Sequence, residues 1–283
     1  MLHIVTDGAV DMPAEWGEKF NIRILPLRIR FGETTYTQGE DINPDVFYRL
    51  VRENRVIPKT SLPSPLQVVE FYRKFAKKGD QILSIHISSK LSGTFATVQM
   101  AANELAGELD VTVFDSGAGS AAMGVMCREA RLWERAGVSL QEIVTRLQRM
   151  RQRISVIFTV DNLEFARLNG RIGSLQSVLA SVLRIKPIIV LRDGLLNATE
   201  KIRTRQKALD HILERVREGV GNRKVILAVV HAADPETAKN LVEQAKKMFN
   251  INELLITDLS IPVAANLGPG TIGVVAIPVE DQP

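Results

Sequence analysis

A chain of 283 residues, 45% of them hydrophobic, can bury a sizeable core, and its length falls between one large α/β domain and two smaller ones, of which two is the better reading. Its single cysteine, Cys127, excludes an internal disulfide framework and any multi-cysteine metal site, and reads as a small buried apolar residue in a reducing compartment. Lys and Arg total 36 against 32 Asp and Glu, a net charge of +4 that is too small to argue for nucleic acid by itself.

The N-terminal "MLHIVTDGAVDMP" has no basic leader followed by an apolar run and a cleavage site, so a cytoplasmic location is expected. Short β-branched runs follow in order: "HIVTD", "IRILPLRIRF", "ILSIHIS", "VTVFDS", "ISVIFTV", "KPIIVL", "KVILAVVH", "LLITDLS" and "GVVAIPV". Longer helical patterns separate them, and that alternation predicts an α/β fold. Phe95, Val98, Ala102, Leu105 and Leu109 make one helical stripe. Leu209, Ile212, Leu213, Val216 and Val220 make a second, and Ala238, Leu241, Val242, Ala245 and Met248 a third. "VTVFDS" and "KVILAVVH" are apolar nearly throughout, as parallel strands covered on both faces would be. "LPLRIRFGETTYTQG" alternates instead, which predicts a half-exposed antiparallel hairpin. The most apolar long segment, "SVLASVLRIKPIIVL", is interrupted by Arg184 and Lys186 and is too short for a membrane span. The domain boundary is expected where "EIVTRLQRMRQR" gives way to "ISVIFTV", dividing the chain into 1–150 and 151–283, with the hairpin near 24–37 a candidate to pack with the second part.

Four segments could carry chemistry: Thr6 and Asp7 after the first strand, "TSLPS" at 60–64, "SSKLSGT" at 88–94, and "NLGPGTIG" at 266–273. The carboxyl ends of strands are where open α/β sheets bind ligands. A helix predicted to begin near Gly93 would offer free N–H groups beside the hydroxyls of Ser92 and Thr94, an anion site, unless those hydroxyls merely cap the helix. Ser64 followed by Pro65 reads as an N-cap, which leaves Thr60 and Ser61 as donors or turn residues. A hydrolase or acyltransferase would pair Ser92 with His231, the histidine that ends a strand; His3, His86 and His211 read as structural. No G-x-S-x-G elbow, Walker-type phosphate loop or G-x-G-x-x-G follows a strand, and no histidine stands in a metal-ligating set. The small residues of "SGAGSAAMG" at 116–124 suit tight helix packing or a slender ligand. A nucleic-acid regulator would use the arginine clusters at 146–153 and 201–207, without a recognisable reading motif. The residues by themselves describe an anion cradle without catalytic machinery.

In this order, "TDGAVDMP" (6–13), "ILPLRIRFGETTY" (24–36), "TSLPSP" (60–65), "ISSKLSGTF" (87–95), "VFDS" (113–116), "NGRIG" (169–173), "IKPII" (185–189), "RTRQKAL" (203–209) and "GPGTIG" (268–273) resemble the DegV family, which includes the fatty-acid-binding subunits of bacterial fatty acid kinases. The resemblance implies two α/β domains, the first with a mostly parallel sheet and the second with a mixed one, and a ligand tunnel between or beside them. That tunnel would hold a long-chain fatty acid as the only ligand, with no cofactor. Thr60, Ser61, Ser92, Gly93, Thr94 and Asn266 would bind its carboxylate, supported by Asp7, Arg171 and Gly268. The resemblance further implies a non-catalytic carrier that makes transient membrane contact and presents the acid to a separate kinase subunit, docked through Arg203, Arg205 and Lys207. Two positions depart from the family pattern: Gly8 stands where serine is usual, and Asn266 where histidine is usual. Asn266 can donate an amide hydrogen bond but cannot carry a proton charge.

Overall fold

The computed structural model describes residues 1–54, 56–170 and 185–279. The chain clusters into two compact units, Met1–Gln152 with Ser260–Pro262, and Arg153–Leu259 with Val263–Pro283.

In the first unit the elements run β1 (Leu2–Asp7), α1 (Glu15–Lys19), β2 (Ile22–Leu25), β3 (Arg28–Phe31), β4 (Thr34–Thr37), α2 (Pro44–Asn54), β5 (Lys59–Ser61), α3 (Pro65–Arg73), β6 (Gln81–His86), α4 (Thr94–Glu104), β7 (Asp110–Asp115), α5 (Ala121–Arg135) and α6 (Leu140–Arg151). Strands β2, β1, β6 and β7 form a parallel sheet in that order. Every residue of β1 is buried, as expected of a central strand covered on both faces. On one face Val68, Val69 and Tyr72 of α3 and Val98 and Ala101 of α4 pack against Val5 and Ile82. Against the other lies α5, where Gly124 allows close approach: a Cβ there would meet the Asp11 carbonyl oxygen at 2.4 Å. Helix packing therefore explains Gly124 in the small-residue run. Cys127 is wholly buried in the same helix, and burial pushes its thiol up to about 12, so it stays protonated and inert.

Three expectations need correction. "VTVFDS" is parallel but forms the edge strand β7, most of it only half-buried. "IRILPLRIRF" is two strands, β2 and β3, parted at Pro26, which has no N–H to continue a ladder. The hairpin falls in the first unit, where β3 pairs with both β4 and β5 in a three-stranded antiparallel sheet.

The second unit contains β8 (Ser155–Thr159), α7 (Glu164–Leu168), β9 (Lys186–Arg192), β10 (Leu195–Ile202), α8 (Arg205–Val220), β11 (Val225–His231), α9 (Pro235–Met248), β12 (Ile251–Asp258), α10 (Ile261–Leu267, whose first two residues cluster with the first unit) and β13 (Ile272–Pro278). Its sheet runs β10-β9-β8-β13-β11-β12 and is mixed, with β11 and β12 parallel and the other pairs antiparallel. Asp193 and Gly194 turn β9 into β10 with φ of 51° and 76°, the backbone that a two-residue Asp-Gly hairpin requires. The predicted stripes of α8 and α9 bury Leu209, Ile212, Leu213, Leu241 and Val242 against Leu227, Val229 and Val274.

Candidate functional site

Strand β1 leads to β2 on one side and β6 leads to β7 on the other, so the sheet has its topological switch point between β1 and β6, and the carboxyl ends there are where such sheets bind ligands. Two loops meet there, and Asp7 ties them. Its Oδ1 accepts the Ala9 N–H at 2.9 Å, and its Oδ2 accepts the Ile87 N–H at 3.0 Å and pairs with His86 Nδ1 at 2.9 Å. Behind this pair, His86 Nε2 lies 2.7 Å from Ser84 Oγ, and that hydroxyl lies 2.7 Å from the Tyr72 hydroxyl. All four side chains are fully buried. With Nδ1–H donated to Asp7, Nε2 accepts from Ser84, whose oxygen accepts from Tyr72. Burial raises the Tyr72 hydroxyl above its usual range, so it remains a donor.

The spacing is that of a Ser-His-Asp relay, yet Ser84 is inaccessible and its oxygen is engaged on both sides. The chain of bonds holds the two loops in place and does not activate a nucleophile.

The Asp7-anchored loop continues into Ser88, whose N–H donates to the Ala118 carbonyl at 2.8 Å, and Ser89, whose hydroxyl donates to Asp115 Oδ2 at 2.6 Å. The hydroxyls of Ser92 and Thr94 lie 2.9 Å apart. Gly93 is the N-cap of α4 and has no side chain to cap that helix. The start of α3 differs: Ser64 and Gln67 form a full capping box. The capping explanation thus holds in full at Ser64, whereas at α4 the only side-chain acceptor among the described residues is Ser92 Oγ, 3.3 Å from the Thr94 N–H.

Thr60 sits on β5 opposite Ile29, and Ser61 opposite Arg28. Because strand side chains alternate, Thr60 shares the inward face with Ile29 and Tyr36, whereas exposed Ser61 points outward with Arg28 and Thr37. Ser61 is therefore separated from the inward-facing donors. The small sheet and the segments that follow its strands meet these loops at two glycines. A Cβ at Gly93 would stand 2.8 Å from Leu62 Cδ1, and one at Gly8 would stand 1.8 Å from Gln38 Oε1. Gly8 thus has a physical reason: the Gln38 carboxamide fills the space of a side chain there.

In the second unit, α10 ends at Gly268, which has φ of 86° and whose N–H donates to the Ala264 carbonyl at 2.8 Å. Asn266 is half-buried on this helix, and Asn169 Nδ2 donates to the neighbouring Ala265 carbonyl at 3.0 Å. Arg205 is not a free docking cation. It donates to Asp161 and Asp234, each at 2.5 Å, and to the Gly270 carbonyl at 2.9 Å, clamping the "GPG" turn. Arg203 and Lys207 are exposed, and Arg171 lies outside the described residues. His231 Nδ1 faces Asp258 at 3.0 Å, and Ser92 is bonded to Thr94, so each member of the suggested catalytic pair already has a partner within its own unit. His3 pairs with Asp80 and His211 with Glu200, in structural roles. Of the arginine clusters, Arg146 bonds Glu142 and Arg151 bonds the Asp115 carbonyl. Among the described residues no group of three or more His, Cys, Asp or Glu could hold a metal, and no helix is long and apolar enough to cross a membrane.

Sequence reasoning missed the Tyr72-Ser84-His86-Asp7 chain and Gln38. The available signal was register: with Thr6 beside Ile85, Asp7 stands level with His86, which is visible only once β1 and β6 are known neighbours.

The family model described as "Uncharacterised protein, DegV family" matches residues 1–279. A "DegV domain-containing protein" of Deinococcus radiodurans is 33% identical over 97% of this chain and 98% of its own length. The solved structure "Fatty Acid Binding of a DegV family Protein from Thermus thermophilus" superposes with a TM-score of 0.89 at 32% identity, covering 98% of this chain and 99% of that one. "DegV, a fatty acid binding protein from Bacillus subtilis" superposes with a TM-score of 0.89 at 30% identity, covering 98% and 99%.

Proposed function

The chain belongs to the DegV family, and from that premise we propose that it is a non-catalytic carrier of a long-chain fatty acid. The fatty-acid-binding structures from Thermus thermophilus and Bacillus subtilis, at 32% and 30% identity, support the ligand class. The observation that carries the head-group assignment is the cluster at the first turn of α4, where the paired hydroxyls of Ser92 and Thr94 stand beside the Gly93 N-cap at the switch point of the sheet. In this reading the Gly93 N–H and the hydroxyls of Ser92 and Thr60 hold the carboxylate, Thr94 orients Ser92 through its N–H and hydroxyl, and Asp7 fixes the loop that carries them. Asn266, with Gly268 in its supporting turn, is a further proposed head-group donor.

Magnitudes divide the work. At about 0.8 kcal/mol per buried CH₂, a tail of about fifteen methylenes offers on the order of 12 kcal/mol before ordering costs. Charge-assisted hydrogen bonds contribute about 1.5–3 kcal/mol each, most of it offsetting carboxylate desolvation. The tail supplies affinity and the cradle supplies orientation. A carboxylate so presented suits a separate ATP-using kinase that transfers a phosphoryl group to it, with exposed Arg203 and Lys207 as the proposed docking cations.

Added palmitic acid is expected to raise the melting temperature, since a ligand at 100 times its Kd stabilises by about 2.7 kcal/mol. Absence of any shift with C14 to C18 acids contradicts the proposal. Asn266→His tests that position. Wild-type affinity should change little between pH 6 and 8 on account of Asn266, whereas the histidine variant should bind acid more tightly at pH 6; a flat profile in the variant places the residue away from the head group.

A further inference from the structure

Gln38 follows β4 and crosses the end of β1. Its backbone N–H donates to the Leu27 carbonyl at 3.0 Å, and its side-chain Nε2 donates to the Gly8 carbonyl at 3.0 Å. Only the amide nitrogen can donate to that carbonyl, so the bond fixes which way the carboxamide faces. The oxygen, Oε1, is left buried with no hydrogen-bond partner among the described residues. Gly8 makes this placement available, because any Cβ there would occupy the position of Oε1. By strand alternation Gln38 projects on the same face of the small sheet as Thr60, the face that Leu62 seats against Gly93. A lone buried acceptor calls for a donor, and a carboxylate cannot provide one.

We propose that Gln38 Oε1 is a second head-group contact, an acceptor for an O–H donor, which extends the ligands of this chain from fatty acids to long-chain alcohols. The inference rests on the fatty-acid reading of the same site and adds a ligand class to it. Ser92 and Thr60 donate to a carboxylate; Gln38 accepts from a hydroxyl.

The test compares hexadecanol and palmitic acid at pH 8 on the intact protein by competition against a fluorescent fatty acid. Wild type should bind both. Gln38→Met, which keeps the length and removes the acceptor, should weaken hexadecanol by about tenfold and palmitic acid by less than threefold. Wild type that binds the acid but not the alcohol, or a Gln38→Met variant that changes neither ligand or both equally, overturns the inference while leaving the fatty-acid reading intact. The middle case would mean that Oε1 meets only a water molecule. Failure of both ligands on wild type overturns the fatty-acid reading itself.

Discussion

Asp7→Ala is expected to lower the unfolding free energy by about 3–5 kcal/mol, because it leaves several buried donors without their acceptor at about 1–3 kcal/mol each. The substitution strands three groups at once: His86 Nδ1, the Ile87 N–H and the Ala9 N–H all bond this carboxylate. Asp7 and His86 are fully buried, so water cannot replace the lost acceptor without opening the carboxyl end of the sheet. Asp7→Asn should cost less, because one oxygen remains to accept. Urea unfolding of both variants beside wild type checks the ranking. A loss below about 1 kcal/mol for Asp7→Ala would show that the Asp7-His86 chain does not hold the two loops.

The second large effect concerns the ligand. Combined Ser92→Ala and Thr60→Ala substitution should weaken palmitic acid binding by about a hundredfold, equivalent to two hydrogen bonds of about 1.4 kcal/mol each. Each single change should cost about tenfold. Hexadecanol should suffer less, since these hydroxyls are proposed to donate to a carboxylate. Both side chains are only partly buried, and the chief structural loss is the Ser92 contact with the Thr94 N–H and hydroxyl, so the double variant should still fold, with stability lowered by about 1–2 kcal/mol. Isothermal titration with the two ligands separates the cases: equal losses for acid and alcohol would assign Thr60 and Ser92 to packing.

Much of this architecture was legible because periodicity reports burial directly. The stripe of Leu209, Ile212, Leu213, Val216 and Val220 could face only a core, and it does. An apolar run carries no such directional information, which is why "VTVFDS" read as a covered strand although β7 lies at the sheet edge. At the candidate site, hydroxyls crowded after β6 were conspicuous, and Ser64 was separable from them by its proline. The supporting contacts were not. His86 and Asp7 are 79 residues apart, and Gln38 and Gly8 are 30 apart, so only the fold brings them together. Arg205 misled for the same reason: its basic neighbours are adjacent in sequence, whereas its carboxylate partners lie 29 and 44 residues away.

If a long-chain acyl group is the resident ligand, denaturing mass spectrometry of protein purified natively from cells, without added lipid, should find a near-stoichiometric C14 to C18 fatty acid released on unfolding. A protein that releases no acyl chain, and takes none up when offered, would rule out the carrier reading.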